Sequence, residues 1–85
     1  MNSNKKHCLL TFEFDAKNEM LEIHANQKGL ENLKTVIDSL LSKTDCDHVH
    51  LMTTEWGGDG LSSEKQNQEN EIINHVKIFK WIDAD

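Results

Sequence analysis

The chain has 85 residues, enough for one small domain, 1–85, with a thin hydrophobic core. Its formal net charge of -6 at pH 7 argues against binding to nucleic acid or to an anionic membrane surface, since both need a clustered basic face. The same charge favours a basic partner, because opposite charges steer encounter.

The sequence predicts a protein of the cytoplasm. No apolar run approaches the roughly 20 residues that cross a bilayer. The polar start at residues 1–7, which we expect to be flexible, lacks the apolar core of a signal peptide. Cys8 and Cys46 lie far apart without a CxxC spacing, so we expect reduced thiols rather than a disulfide framework.

The first two predicted elements are strands of a hairpin. Residues 8–15 alternate between polar and apolar side chains, with the apolar face formed by Leu10, Phe12 and Phe14. After a short polar connection, residues 20–25 alternate again. The short connection predicts that the two strands pair in antiparallel fashion.

A helix is predicted over residues 29–43. Its apolar side chains recur at three- and four-residue steps and gather on one stripe: Leu30, Leu33, Val36, Ile37, Leu40 and Leu41. Asn26 is placed to cap the first turn, although Gly29 would then lie inside the helix at some cost in stability.

The most distinctive stretch follows the helix. A strand pattern at 48–54 runs into Trp56, and Gly57 and Gly58 then allow backbone angles that are closed to residues with a side chain. Asp59 and the glycine after it give a further turn signal. We therefore predict a strand that ends in an ordered, acidic loop. The end of the strand and this loop together are the candidate functional site.

The remainder predicts a loop and a last strand. Residues 62–70 hold no apolar side chain, which favours a mobile loop, and residues 72–82 alternate like a strand. The order strand, strand, helix, strand, strand predicts an α+β fold: a four-stranded antiparallel sheet (ββαββ) with one helix packed on one face. Val49 and Leu51 should then point toward the helix.

The opposite face of that sheet should carry histidine, methionine and aromatic side chains: His24, His48, His50, Met52, His75, Phe79 and Trp81. Such a face suits a protein interface, either with a second copy in a homodimer or with another protein. The alternative interpretation is that these side chains only shield one another across neighbouring strands.

His48 and His50 also raise a metal hypothesis. Residues two apart on a strand point the same way and can share one ion. A third ligand would have to come from another part of the chain: His24, His75, Cys46 or Asp47. A small metal-binding or hydrolytic domain is therefore the alternative function. We expect no cofactor, no metal and no catalytic residue, because no nucleophile lies in an activating motif.

Trp56 has two compatible interpretations. It can pack over the end of the sheet and hold the glycine bend, or it can anchor a protein interface ringed by acidic side chains. On the second interpretation, the predicted partner-binding residues are Glu55, Trp56, Asp59, Glu64, His48, His50, Phe79 and Trp81.

A helix that opens with Gly-Leu at 29–30 is followed by His-Leu-Met at 50–52 and then by Trp-Gly-Gly at 56–58. This pattern resembles the immunity protein 32 family of bacterial polymorphic toxin systems. The resemblance covers roughly residues 22–82. It implies a small cytoplasmic α+β protein, not an enzyme, that binds and neutralises a cognate toxin domain by protein-protein contact. It assigns no role to individual residues.

Overall fold

One helix and two antiparallel sheets form the fold in this computed structural model, which describes residues 7–83. The elements are β1 (Leu10–Asp15), β2 (Met20–Ala25), α1 (Gln27–Leu41), β3 (Asp47–Met52), β4 (Glu71–Ile72) and β5 (His75–Lys80). The first sheet has the order β2-β1-β4, and the second pairs β3 with β5. The predicted α+β class is confirmed. The prediction of a single four-stranded sheet is wrong, because the strands form two sheets.

The predicted last strand, 72–82, is in fact two strands in different sheets. β4 pairs with β1, whereas β5 pairs with β3. The chain changes sheet between them, because the Ile73 amide donates to the Phe12 carbonyl at 2.8 Å and the Asn74 carbonyl accepts from the Thr53 amide at 3.0 Å. Neither glycine nor proline marks this crossing, so the alternation alone gives no sign of it.

The hairpin and the helix are confirmed. β1 and β2 pair from Leu10 opposite Ala25 to Asp15 opposite Met20. Asn26 caps α1 as predicted, because its side-chain oxygen accepts from the Gly29 amide at 2.8 Å. No helix within residues 7–83 is long and apolar enough to cross a membrane. Of the start at residues 1–7 that was predicted to be flexible, residues 1–6 lie outside the described residues.

Gly29 lets the helix approach the backbone just before β1. A Cβ atom built at this position would lie 1.8 Å from the carbonyl oxygen of Leu9. The same backbone is tied to the cap, since the Asn26 amide donates to that carbonyl at 3.1 Å. Glycine lowers the intrinsic helix propensity at this position, but close packing of α1 against the Leu9 backbone requires it.

The apolar core lies between α1 and parts of both sheets. Its buried side chains are Leu10, Phe12, Leu51 and Leu61. Leu51 faces inward as predicted, and Leu61, which directly follows the glycine-rich turn, is only 2% exposed. The far end of the hairpin is not covered, and Leu21 and Ile23 are 53% and 47% exposed.

The polar face of β1 is buried as deeply as its apolar face. Glu13 has no exposed surface, and its carboxylate accepts hydrogen bonds from the Thr11 hydroxyl, the amides of Gln66 and Asn67, and the side-chain amide of Asn70, at 2.6 to 3.2 Å. A buried carboxylate needs such partners, because water no longer solvates it. The loop after the glycines therefore closes over the first sheet.

These bonds set the charge state of Glu13. Burial raises its pKa, but the hydrogen bonds from Thr11 and from the loop together outweigh burial and hold the pKa below its ordinary value. The carboxylate therefore stays ionised at neutral pH. The loop at 62–70 has a packing role that its composition did not predict, and its mobility stays a prediction.

Lys80 ties the end of α1 to β5. Its ammonium donates to the carbonyls of Leu41 and Lys43 at 3.0 and 2.6 Å. Carbonyls at the end of a helix lack backbone amide donors from a following turn, so the lysine acts as a cap. We expect Lys80→Met to lower the free energy of unfolding by about 1 kcal/mol in urea denaturation. Lys28→Met removes an exposed lysine elsewhere on α1 and serves as the control. Equal losses in both variants would contradict this capping role.

Candidate functional site

The predicted partner-binding residues fall into two groups. The outer face of the β3/β5 pair, which we call the ribbon face, carries His48, His50, Met52, His75, Lys77, Phe79 and Trp81. The turn and loop after β3, residues 54–64, form what we call the glycine corner, and it carries Glu55, Trp56, Asp59 and Glu64.

Aromatic rings contact one another along the ribbon face. The ring centroids of His48 and Phe79 lie 5.3 Å apart, and Phe79 stacks on Trp81 at 6.0 Å. Phe79 and Trp81 are nonetheless 49% and 73% exposed. The side chains thus shield one another, as one interpretation predicts, yet leave a large aromatic surface open to a partner.

The histidines of this face are coupled. His50 Nδ1 lies 2.8 Å from His75 Nε2, a contact that requires at least one ring to be neutral. Desolvation lowers the pKa of His50, and the charges of His48, Lys77 and His75 lower it further. The neutral form of His50 is therefore favoured at pH 7, and Lys77 adds a lysine charge to the ribbon face.

These histidines do not form the hypothesised metal centre. Among residues 7–83, no group of three or more His, Cys, Asp or Glu side chains is arranged to hold an ion. His24 was expected on the same face, but this placement is wrong because β2 belongs to the other sheet. There His24 Nε2 lies 2.8 Å from Glu22 Oε1.

The glycine corner is a tight, hydrogen-bonded turn. Residues Thr54–Trp56 form one turn of 3-10 helix, and Gly57 ends it with a φ of 88°, as the glycine signal predicts. Gly58 packs on β3, where a Cβ atom would lie 2.7 Å from the Met52 side chain. Trp56 is 58% exposed, so most of its ring lies in solvent rather than over the sheet.

Two neighbouring cavities lie between the glycine corner and α1. The larger, of about 480 Å³, has an apolar floor of Leu10, Val36 and Leu51. The smaller, of about 240 Å³, opens beside Ser63 and Glu64. They share three lining residues, Asn32, Asp59 and Gly60, and we call the pair the corner groove.

The helix wall of the corner groove was not predicted from sequence. Asn32 and Thr35 line the larger cavity from α1. They lie three positions apart, beside the apolar stripe and one turn of helix from each other, which places them on one edge of the buried face. That spacing is the only sequence signal for them, and exposed polar residues at such positions are common.

The Immunity protein 32 family profile matches residues 21–76, more than half of the chain. The chain belongs to the immunity protein 32 family. The family suggested by the Trp-Gly-Gly run is thereby confirmed. No curated protein and no solved structure matches the chain.

The immunity protein 32 match includes α1, β3 and the whole glycine corner. It ends before Phe79 and Trp81, and it begins after β1 and Glu13. The corner groove is therefore built mostly from the matched part of the chain, whereas the phenylalanine and the tryptophan of the ribbon face both lie outside it.

Proposed function

We propose that this protein is an immunity protein that binds a cognate bacterial toxin domain in the cytoplasm and neutralises it by protein-protein contact, without catalysis. The observation that carries this proposal is the match of residues 21–76 to the immunity protein 32 family. Exposed aromatic and acidic surfaces support a binding role, because exposed Trp and Phe are typical anchors of protein interfaces.

The proposed contact surface joins the glycine corner to the ribbon face. His50 and Asp59 both line the larger cavity, so the two surfaces meet there. Trp56 and Trp81, 58% and 73% exposed, are the proposed aromatic anchors on either side. Glu55, Asp59 and Glu64 add negative charge, and with the net charge of -6 this suits a basic toxin.

Co-expression tests the function directly. A candidate toxin domain, taken from the reading frame next to the gene, is produced alone, with the wild-type chain, and with Leu51→Asp. This substitution places a charge in the core and serves as the unfolded control. We expect the wild-type chain alone to restore growth and to co-elute with the toxin domain. Absence of rescue contradicts the function, and rescue without a complex contradicts inhibition by contact.

Replacing Trp56 by alanine should separate binding from stability. Because its ring is 58% exposed, we expect the melting temperature to change little. Loss of an interface anchor of this type should weaken toxin binding by roughly tenfold or more, measured by calorimetry. Leu41→Ala removes another exposed apolar side chain, at the end of α1, and toxin binding by this variant should equal that of wild type. A large fall in melting temperature for Trp56→Ala would instead assign the ring a structural role.

A homodimer through the ribbon face is the second candidate. The stacked and exposed Phe79 and Trp81 favour it, since a second copy could cover both rings. Sedimentation velocity at micromolar concentration, with Trp81→Ala as the comparison, should then show a dimer that the variant loses. A strict monomer removes this candidate.

A further inference from the structure

We propose that the corner groove receives a lysine or arginine side chain of the toxin. This inference rests on the proposed function and names the part of the partner that the groove would hold. It follows from the shape of the groove, the charge around it and the way its walls are fixed.

The shape of the groove suits a long, amphipathic side chain. Its floor is apolar and formed by core side chains, of which Leu10 and Leu51 are 1% and 7% exposed. It comprises two adjacent cavities, of about 480 and 240 Å³, that share three lining residues. Lysine and arginine bury an aliphatic stem against such a floor while the charged end stays near polar groups.

The charge of the groove selects a cation. Asp59 lines both cavities and Glu64 lines the smaller one, and both are exposed. Among residues 7–83, no lysine or arginine lines either cavity. Lys34, the lysine of α1 between Asn32 and Thr35, is held away by its contact with Asp38 at 2.9 Å. Two histidines also line the cavities, His7 the smaller one and His50 the larger one, and desolvation lowers the pKa of His50, which favours its neutral form.

The walls of the groove are held in place before any partner binds. The Leu61 amide donates to the Met52 carbonyl at 3.0 Å, and the Ser63 hydroxyl lies 2.7 Å from the Thr54 hydroxyl and the Glu55 amide. Gly60 lets this loop pass close to Leu51, since a Cβ atom there would lie 3.1 Å from its side chain. A preformed groove loses little entropy when it is filled.

A small probe tests the groove without the toxin. N-acetyl-arginine amide is titrated into the labelled full chain, and amide chemical shifts are followed for Asn32 and residues 58–60. N-acetyl-citrulline amide, which has the same shape without the charge, is the control. We expect saturable shifts with arginine, and at least about threefold weaker binding with citrulline or with Asp59→Asn.

The toxin domain tests the same groove in the complex. Thr35→Trp fills the groove from the helix wall and should weaken toxin binding by about tenfold or more. Leu41→Trp places the same ring at the exposed end of α1, outside both cavities, and should bind like wild type. Asp59→Asn should weaken binding more than Glu69→Gln, which removes the charge of an exposed glutamate outside both cavities.

The two arms separate this inference from the proposed function. Toxin binding that tolerates Thr35→Trp and Asp59→Asn overturns the groove while the function stands. Equal shifts with arginine and citrulline, or none with either, also overturn it. Selective arginine binding by a chain that neither rescues growth nor binds the toxin overturns the toxin as occupant, and the proposed function fails with it.

Discussion

Replacing Gly29 by alanine is expected to lower the free energy of unfolding by about 3 kcal/mol, because the added methyl group would meet the Leu9 carbonyl oxygen at 1.8 Å. The clash is with backbone, which cannot rotate away as a side chain can. Helix propensity alone predicts the opposite sign, a gain of about 1 kcal/mol, since Gly29 lies within α1. Urea denaturation measured by circular dichroism decides between the two signs.

Gly57→Ala is the matched control for this prediction. A Cβ atom at Gly57 meets nothing within 4 Å, but its φ of 88° is strained for alanine. The expected loss is therefore smaller, about 1 kcal/mol. A Gly29→Ala variant as stable as wild type would contradict the close approach of α1 to the backbone of Leu9.

Glu13→Gln is expected to lower the free energy of unfolding by about 2 to 3 kcal/mol at pH 7. Each of the two carboxylate oxygens accepts two hydrogen bonds from the surrounding donors. An amide has one oxygen, so its NH2 group must face donors whichever way it is turned. Glu69→Gln makes the same change at an exposed position of the same loop and should cost little.

The effect of Glu13→Gln should depend on pH with a defined sign. The folded-state pKa of Glu13 lies below its ordinary value of 4.5. The stability that the ionised group contributes is therefore fully present above that value, and it is lost as the pH falls through the folded pKa. The difference between wild type and Glu13→Gln should shrink as the pH falls below about 4.5. A difference that grows on acidification would contradict the hydrogen-bonded carboxylate.

Local patterns were sufficient to predict the elements whose partners are close in sequence. The alternation at 8–15 and 20–25 gives the hairpin, and the three- and four-residue steps give α1, within two residues at either end. The glycines after Trp56 predict the left-handed bend that Gly57 adopts. Each of these signals depends on backbone geometry that neighbouring residues fix.

Contacts between distant segments were not predictable in this way. Glu13 lies on the polar side of an alternating strand, and nothing in residues 62–70 marks them as its cover, because their donors are mainly backbone amides and asparagine. The sheet change at Ile73 and the groove wall at Asn32 likewise depend on which surfaces meet. Eight candidate binding residues could be named, but their division into a ribbon face and a glycine corner required the fold.

The bonds that enclose Glu13 join residues that are translated far apart in time. Asn70 lies 57 positions after the carboxylate that it contacts, so the carboxylate is translated well before its enclosure can form. The hairpin and α1 can form while the ribosome is still adding residues, with the acid group in water until the later segment arrives. A polypeptide cut short before residue 66 would leave that charge without its loop donors, and quality-control proteases should remove it.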